Sequence, residues 1–289
     1  MDGHAAPQFT QKDGRSEGRF ARQGLIGSSA NPHSIKTLPD TDSSGGEEWR
    51  RSLLNPDLRA GVVDLYRVWL RAEEDTVRHY REVLAVDERE RADRFHFPVH
   101  RNRFILGRAA LRRILGRSLG RPAGEIRFVY GPQGKPEMSP SEKGVEFNVS
   151  HTEYLALIAV VPDRQVGVDV ESINRQLEWN ELAERFFTPA ESRYLKSLTA
   201  EENRRNFFRL WTAKEAYLKA IGKGLSVGLN KVEFSITDPH LPRIMATPHD
   251  PEERNRWRLR GIPCPLGFVA TVAMSGSLPE VRTWEEKLE

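Results

Sequence analysis

The sequence is poor in cysteine and in long apolar runs, and each deficit excludes a class of protein. Its 289 residues include one cysteine, Cys264, between two prolines. A single thiol excludes an internal disulfide and a cysteine-based zinc site, and this setting is typical of a packed loop rather than of a nucleophile. The longest aliphatic run, Leu155 to Val161, is far shorter than the ~20 residues that span a bilayer. We therefore expect no membrane partner.

The N-terminal segment, residues 1–50, lacks the apolar periodicity of a folded element. It is rich in Gly, Ser, Pro, Asp and Asn, and its apolar residues are scattered. It also lacks the apolar run of a secretory signal and the Arg/Ser-rich amphipathic pattern of a transit peptide. We predict a disordered, mobile tail and a cytoplasmic protein.

The net charge of +3 is small, but basic residues are concentrated in one segment. Ten arginines lie between Arg89 and Arg121, against the two acids Glu90 and Asp93. Such an excess favours contact with phosphates or with an acidic protein, although a solvated helix face is the ordinary alternative.

Apolar periodicity predicts a mixed α+β chain. Helical spacing is found at Glu73–Leu84 and Asn102–Leu119, and β-branched, aromatic or alternating runs predict strands. The predicted strands are Val62–Leu70, Ile126–Tyr130, Val145–Val149, Leu155–Val161 and Val166–Ile173.

An internal similarity predicts two related lobes. The stretch from Arg101 to Gly120 resembles the stretch from Arg205 to Leu225, with Phe104 aligned to Phe208. Chance similarity of two Leu- and Arg-rich helices is the alternative. We assign residues 60–163 to an N-terminal lobe, 164–275 to a C-terminal lobe and 276–289 to a C-terminal extension. The functional surface is then expected between the lobes.

Two acids alternate along the run VGVDVES, from Val166 to Ser172. In a strand, Asp169 and Glu171 would share one face about 7 Å apart and could hold one hard cation. A half-exposed strand with its polar residues outward is the alternative.

A later helix supplies a third acid. Glu215 and Lys219 are four residues apart, beside an apolar stripe, and their simplest interpretation is a helix-surface ion pair of ~0.3–0.5 kcal/mol. Lys214 falls within the apolar arc, where its ammonium would extend outward to solvent.

Two turn-rich elements precede these acids. The first is YGPQGKP, from Tyr130 to Pro136, and the second is FNVSHT, from Phe147 to Thr152, in which a predicted strand gives way to a turn at Ser150. Ser150, His151 and nearby backbone amides could bind phosphate oxygens. A nucleophilic Ser/His pair has little support, because adjacent residues rarely point the right way for proton transfer.

In this order and spacing, the segments GKP, FNVSH, GVDVES, FFTPAE and LWTAKEAYLKAIGKGL resemble the 4'-phosphopantetheinyl transferase superfamily. The resemblance is to its long, two-lobed branch, which activates nonribosomal peptide and polyketide synthases, and it covers about Val62 to Val272. It implies an α+β fold of two pseudo-twofold related lobes, each a small antiparallel sheet packed on a long helix, with coenzyme A in the cleft. It also implies Mg²⁺-dependent transfer of phosphopantetheine from coenzyme A to a serine of an apo acyl- or peptidyl-carrier protein, with release of 3',5'-ADP.

The resemblance also implies roles for individual residues. The metal ligands fall on Asp169, Glu171 and Glu215, and the catalytic lysine falls on Lys219. Glu215 could be a ligand, a base or both. The positions that bind coenzyme A fall on Arg91, Arg103, Lys135, Pro136, Ser150 and His151. Phe104 stands where relatives carry a small hydroxyl residue, which weakens the transfer of the nucleotide contacts near Arg103.

Other functions are compatible with some of the same residues. A magnesium-dependent nuclease would also use clustered acids, a lysine and an arginine-rich surface, but it would need neither the GKP nor the NVSH element. A non-catalytic nucleotide-binding module is a second alternative, against which the intact acids and Lys219 argue. We expect a monomer without a nucleic-acid partner, and a carrier that docks beside Trp179–Leu195, where Phe186, Phe187 and Leu195 lie among basic residues. The alternative is that Phe186 and Phe187 are core residues at the end of a helix.

Overall fold

The computed structural model describes residues 49–52, 57–131, 134–140, 142, 144–175, 179–222, 228–247 and 250–288. The strands in these ranges are β1 (Arg50–Arg51), β2 (Val62–Trp69), β3 (Phe128–Tyr130), β4 (Pro136–Met138), β5 (Glu146–Thr152), β6 (Leu155–Val161), β7 (Val166–Ser172), β8 (Glu233–Ser235), β9 (Arg243–Ala246), β10 (Trp257–Ile262), β11 (Phe268–Ser275) and β12 (Glu280–Glu286). The α-helices are α1 (Glu74–Glu82), α2 (Val86–Asp93), α3 (Pro98–Leu119), α4 (Trp179–Phe186), α5 (Pro189–Lys196), α6 (Ala200–Ala220) and α7 (Glu253–Arg256).

The first sheet has the strand order β1-β12-β2-β6-β5. Strands β2, β6 and β5 pair antiparallel, whereas β12 pairs parallel with both β1 and β2. Helix α3 packs against this sheet and buries Ile105, Leu111 and Ile114 in a shared core. It begins with Pro98, whose fixed φ suits the first turn, and ends at Gly120 in the left-handed conformation with φ 63°.

The second sheet has the antiparallel order β10-β11-β7, and α6 packs against it. The helix begins at a capping box in which Thr199 accepts the amide proton of Glu202 while the Glu202 carboxylate accepts that of Thr199. Phe207, Leu210 and Leu218 of α6 belong to the second core, together with residues of β10.

A third core lies between the two sheets. It joins Leu65 of β2 and Leu157 of β6 to Val168 of β7 and Val272 of β11. The layers therefore run helix, sheet, sheet, helix, and the α+β prediction is confirmed. The two long helices, of 22 and 21 residues, are the pair whose sequences resemble each other.

The contact between α6 and β7 is unusually close because of Gly167. A Cβ atom at this position would lie 2.0 Å from the carbonyl oxygen of Ala216 and 2.6 Å from the backbone nitrogen of Ala220. Any side chain would therefore force the helix away from the strand. Gly167 thus brings the C-terminal half of α6 over the acids of β7.

The described chain also shows where the ends of the predicted elements fall. The five predicted strands and two predicted helices are present, although α3 begins four residues earlier than its periodicity indicates, at Pro98. Residues 280–286, set apart from both lobes in the sequence analysis, form β12 in the first sheet. Of the predicted tail, only Trp49 and Arg50 lie among the described residues. No helix in the described part is both long and apolar enough to cross a membrane.

Candidate functional site

The two acids of β7 lie at the boundary between the sheets. Asp169 is 4% exposed and Glu171 is partly buried, and the remaining residues of β7 are buried. The alternative of a half-exposed strand is therefore wrong, because α6 packs on one face of β7 and the third core covers the other. Two carboxylates in such a place need positive partners or a bound cation.

Lys219 of α6 is the first positive partner. Its ammonium donates to Asp169 Oδ1 at 2.6 Å, to the carbonyl oxygen of Val168 at 3.2 Å and to Ser150 Oγ at 3.0 Å. Burial alone would lower the pKa of Lys219, but the charge of Asp169 raises it overall. The ion pair of Lys219 thus crosses from α6 to β7, and the surface pair with Glu215 suggested by their spacing is not its main interaction.

The two glutamates beside this pair are difficult to ionise. Burial raises the pKa of Glu215 to about 7, and the negative charge of Asp169 acts in the same direction. The same two causes raise the pKa of Glu171 to about 7, although Arg175 opposes them with a bond of 2.7 Å to Glu171 Oε2. Three acids therefore lie close together, and the positive charges of Lys219 and Arg175 are too few to balance them.

This region fits a hard divalent cation in charge and donor type. Asp169 Oδ2 is buried and has no hydrogen-bond partner. Burial is the main cause of the raised pKa values of Glu171 and Glu215, and a cation would offset both the burial and the repulsion from Asp169. In their present rotamers, no three His, Cys, Asp or Glu side chains of the described ranges already form a metal-binding group. Mg²⁺ does not require one, because it is usually held by one or two carboxylates together with water and substrate phosphates.

Lys135 of the GKP element reaches the same place from the first lobe. Its ammonium donates to the backbone carbonyl of Lys219 at 3.3 Å, near the C-terminal end of α6, where a positive charge is favourable. Burial lowers the pKa of Lys135, and the nearby ammonium of Lys219 contributes. Pro136 follows as the first residue of β4 and pairs with Tyr130.

His151 and Arg103 lie on the solvent side of the cluster. His151 is exposed, yet the crowded surroundings of its ring lower its pKa, and the charges of Lys219 and Arg103 act in the same direction. Desolvation and the charge of Arg71 lower the pKa of Arg103. The result is a neutral imidazole with positive charge around it.

Arg91 contacts a different part of the first lobe. Its guanidinium lies over the ring of Phe104, 5.3 Å from the centroid, and Arg108 lies 5.6 Å from the same centroid. The ring that replaces a small hydroxyl residue in this chain is thus a cation–π partner of two arginines. Phe104 also packs against the first core.

The sequence analysis missed residues of β5 and the turn after β7 that hold the acids in place. Asn148 Oδ1 accepts the amide proton of Val168 at 3.1 Å. Thr152 Oγ1 donates to Glu171 Oε2 at 3.5 Å, and Arg175 pairs with the same oxygen. The alternation of Asn148, Ser150 and Thr152 along a strand was the available signal.

Lys214 was predicted to extend outward, and this is wrong. It is 1% exposed and pairs with Glu191 at 2.9 Å. Its ammonium also donates to the carbonyl oxygens of Leu229 and Val232. These partners satisfy a buried charge inside the second core, so no path to solvent is needed.

The segment suggested for carrier docking is less apolar at its surface than expected. Phe187 and Leu195 are 3% and 2% exposed and belong to the second core, and Phe186 packs edge-on against Trp211. The exposed residues of this segment include Arg193 and Lys196. This face therefore offers mainly charge to a partner, together with the ring of Tyr194, which is 37% exposed.

The fold and the cluster together define a class of protein. It is an α+β chain of two halves, each a sheet with one long helix, and acids and lysines gather where the halves meet. Residues 165–273 match the 4'-phosphopantetheinyl transferase superfamily, and residues 68–163 match the N-terminal part of 4'-phosphopantetheinyl transferases.

Individual relatives agree with this match. The chain is 37% identical over 238 residues to the 4'-phosphopantetheinyl transferase HetI of Nostoc sp., a similarity that spans 82% of this chain and 97% of that protein. It is 33% identical over 155 residues to the 4'-phosphopantetheinyl transferase psf-1 of Bacillus pumilus, across 54% of this chain and 65% of that protein. A solved holo-(acyl-carrier-protein) synthase from Bacillus anthracis, in complex with CoA (3',5'-ADP), is 25% identical to this chain. The match covers 39% of this chain and 96% of that chain, with a TM-score of 0.32. The chain belongs to the 4'-phosphopantetheinyl transferase superfamily, and the comparisons give the nuclease alternative no support.

Proposed function

We propose that this chain transfers the 4'-phosphopantetheine group of coenzyme A to a serine hydroxyl of an apo acyl- or peptidyl-carrier protein. The pyrophosphate linkage of coenzyme A breaks, a phosphodiester to the serine forms, and 3',5'-ADP leaves. The observation that carries the proposal is the Lys219–Asp169 pair at the boundary between the sheets, with the pKa values of Glu171 and Glu215 raised beside it. Family membership is the second support.

The acids have two tasks in this reaction. Asp169, Glu171 and Glu215 would hold Mg²⁺, which supplies charge neutralisation for the pyrophosphate. Glu215, which lies beside Asp169 and Lys219, would also accept the serine proton as a general base. Lys219 would stabilise the charge that develops on the departing 3',5'-ADP phosphate.

The first lobe would bind the nucleotide half of the donor. Lys135 contacts the C-terminal end of α6, Pro136 follows it in β4, and the charge of Arg103 acts on His151. Arg91, whose guanidinium lies over the ring of Phe104, would add a positive charge for nucleotide binding from another part of the same lobe. The second lobe would supply the catalytic side chains and, through Arg193 and Lys196, the carrier contact.

The remaining parts of the proposal concern the setting of the enzyme. We expect it to act as a cytoplasmic monomer on carriers of nonribosomal peptide or polyketide synthases. Carrier proteins are usually acidic around the modified serine, so the basic side chains of α5 offer a complementary rim.

The reaction can be tested by mass spectrometry of the carrier. The protein is incubated with coenzyme A, Mg²⁺ and a panel of apo-carriers, each accompanied by a variant in which the acceptor serine is alanine. We expect one added phosphopantetheine group on at least one carrier and none on its alanine variant, with equimolar 3',5'-ADP. Unmodified carriers throughout the panel, with folded protein, would contradict the proposal.

A further inference from the structure

The turn after β7 brings an arginine back to Glu171. The backbone nitrogen of Arg175 donates to the carbonyl oxygen of Ser172 at 3.4 Å, which closes the turn. On the other side of the residue, Arg204 Nη2 of α6 donates to the carbonyl oxygen of Arg175 at 3.0 Å. The backbone of Arg175 is therefore held at its nitrogen and at its carbonyl oxygen, and its side chain reaches Glu171, four residues earlier in the chain.

Arg175 and Glu171 form a direct and largely buried ion pair. Arg175 Nη1 donates to Glu171 Oε2 at 2.7 Å, and the two side chains are 16% and 15% exposed. A charge-assisted hydrogen bond of this length is among the stronger polar contacts in a protein, and shielding from water makes it stronger than a surface pair. Thr152 Oγ1 donates to the same oxygen at 3.5 Å. Glu171 Oε2 is therefore already occupied by donors of the chain itself.

Both carboxylates of β7 are thus paired with cations of the chain. Lys219 Nζ lies 2.6 Å from Asp169 Oδ1, and Arg175 holds Glu171. The two acids differ in what they still offer to a metal ion. Asp169 keeps a second oxygen, Oδ2, that is buried and has no hydrogen-bond partner. A divalent cation on either oxygen of Glu171 would lie close to the positive guanidinium, in surroundings that screen the repulsion weakly.

We propose that Arg175 holds Glu171 in the metal-free protein and competes with the divalent cation for that carboxylate. The guanidinium must leave Glu171 before the acid can act as a ligand, so the free energy of the ion pair is subtracted from that of cation binding. Without the cation, the same pair compensates a charge that would otherwise be largely buried and unpaired. The inference rests on the proposed function, because the cation is the Mg²⁺ of the proposed transfer, and it adds a control on how tightly that Mg²⁺ is held.

The competition can be measured as cation affinity, without any transfer reaction. Mn²⁺ is the probe, since it shares with Mg²⁺ a preference for carboxylate oxygens and its free form is quantified by electron paramagnetic resonance. Arg175→Gln removes the charge and keeps a polar side chain. Loss of a hydrogen bond between charged groups changes an equilibrium constant by about tenfold or more, so the Kd for Mn²⁺ at neutral pH should fall by about tenfold.

The matched control is Arg243→Gln. It makes the same change of residue and of net charge at an exposed position of β9, a strand of a separate two-stranded sheet. Its Kd for Mn²⁺ should stay within about twofold of wild type. Melting temperatures of all variants are recorded without metal, and if Arg175→Gln does not fold, Arg175→Met takes its place.

A double-mutant cycle with Glu171→Gln separates competition for the carboxylate from repulsion through space. A neutral side chain at this position neither pairs with Arg175 nor attracts the cation, so Arg175→Gln should change the Kd by less than about twofold in this background. Repulsion through space would persist there, because Asp169 and Glu215 still attract the cation. Equal tightening in both backgrounds would therefore overturn the inference.

The other outcomes are also decisive. Unchanged Mn²⁺ affinity in Arg175→Gln would overturn the inference, and weaker affinity would do so as well, because Arg175 would then orient Glu171 toward the cation. Absence of Mn²⁺ binding by both wild type and Arg175→Gln would have the same consequence. The measurement needs neither coenzyme A nor a carrier, so a protein that modifies no carrier can still show the competition, and one that modifies its carrier can still lack it.

Discussion

Gly167→Ala adds a methyl group at a position where the backbones of α6 and β7 are in close contact. The new methyl carbon would lie 2.0 Å from the carbonyl oxygen of Ala216, so the helix must move away by roughly 1.4 Å to reach an ordinary contact. Since the obstacle is backbone, a rotamer change cannot relieve it. The substitution therefore moves Lys219 as a part of α6 while leaving its chemistry intact.

The size of the effect follows from the Lys219–Asp169 distance. It is 2.6 Å, and a displacement of this size would lengthen it to about 4 Å, beyond hydrogen-bond range. A misplacement of ~1 Å in an active site can cost ~100-fold in rate, so we expect a loss of about that factor in carrier modification. Overpacking should also lower the free energy of unfolding by ~1–3 kcal/mol.

The assay combines urea denaturation with the rate of carrier modification. Gly124→Ala is the matched control, because Gly124 has ordinary negative φ and no neighbouring atom within 4 Å of an added Cβ. That variant should stay within ~0.5 kcal/mol and near the wild-type rate. Wild-type stability and rate in Gly167→Ala would refute the reasoning that close packing at this glycine places Lys219.

Four further predictions concern separate parts of the molecule. Lys214→Met leaves Glu191 buried without its partner and should cost ~3–5 kcal/mol in urea denaturation, and a loss below 1 kcal/mol would contradict this. Desolvation raises the pKa of the partly buried Cys264 to about 12, so iodoacetamide at pH 8 should alkylate it slowly in the native protein and faster in denaturant, and fast labelling of the native protein would contradict the raised pKa. The pKa of His151 is lowered in the free protein, and a bound phosphate would favour the protonated imidazole. The affinity for 3',5'-ADP should therefore increase as pH falls from 8 to 6, and His151→Ala should remove this dependence. An unchanged pH dependence in His151→Ala would show that the ring does not face the nucleotide. Reversing Arg193 and Lys196 to Glu should slow association with the carrier more at low salt than at high salt and leave coenzyme A binding unchanged, and an unaltered carrier KM at low salt would place the docking face elsewhere.

Much of the fold could be predicted because it depends on local periodicity. The alternation of Val166, Val168 and Val170 predicts β7, and the apolar spacing of α3 and α6 predicts both long helices. The place of β12 could not be predicted in this way. Its parallel pairing with β2 joins residues more than two hundred positions apart, and nothing local specifies that partner.

The sequence names residues that the structure brings together, but it does not give the bonds between them. Spacing along α6 suggests that Lys219 pairs with Glu215, whereas tertiary structure gives it Asp169 from another element. Lys214 illustrates the same limit, since its partner Glu191 lies on α5 and the helix periodicity of α6 contains no information about it. Contacts between side chains of different elements can be predicted only when the packing of those elements is known. Here the close packing of α6 on β7 depends on Gly167.

The central claim is that the cluster of Asp169, Glu171, Glu215 and Lys219 performs the transfer. Its most direct test is the carrier modification rate of Glu215→Gln at saturating coenzyme A and Mg²⁺, measured beside 3',5'-ADP affinity. The matched control is Glu253→Gln, because the Glu253 carboxylate accepts a hydrogen bond of 2.7 Å from the hydroxyl of Tyr217 on the same helix. Loss of a general base costs ~100- to 10,000-fold, so Glu215→Gln should fall by at least about 100-fold with nearly unchanged 3',5'-ADP affinity, while the control stays close to wild type. A Glu215→Gln protein that modifies its carrier at the wild-type rate would contradict the account.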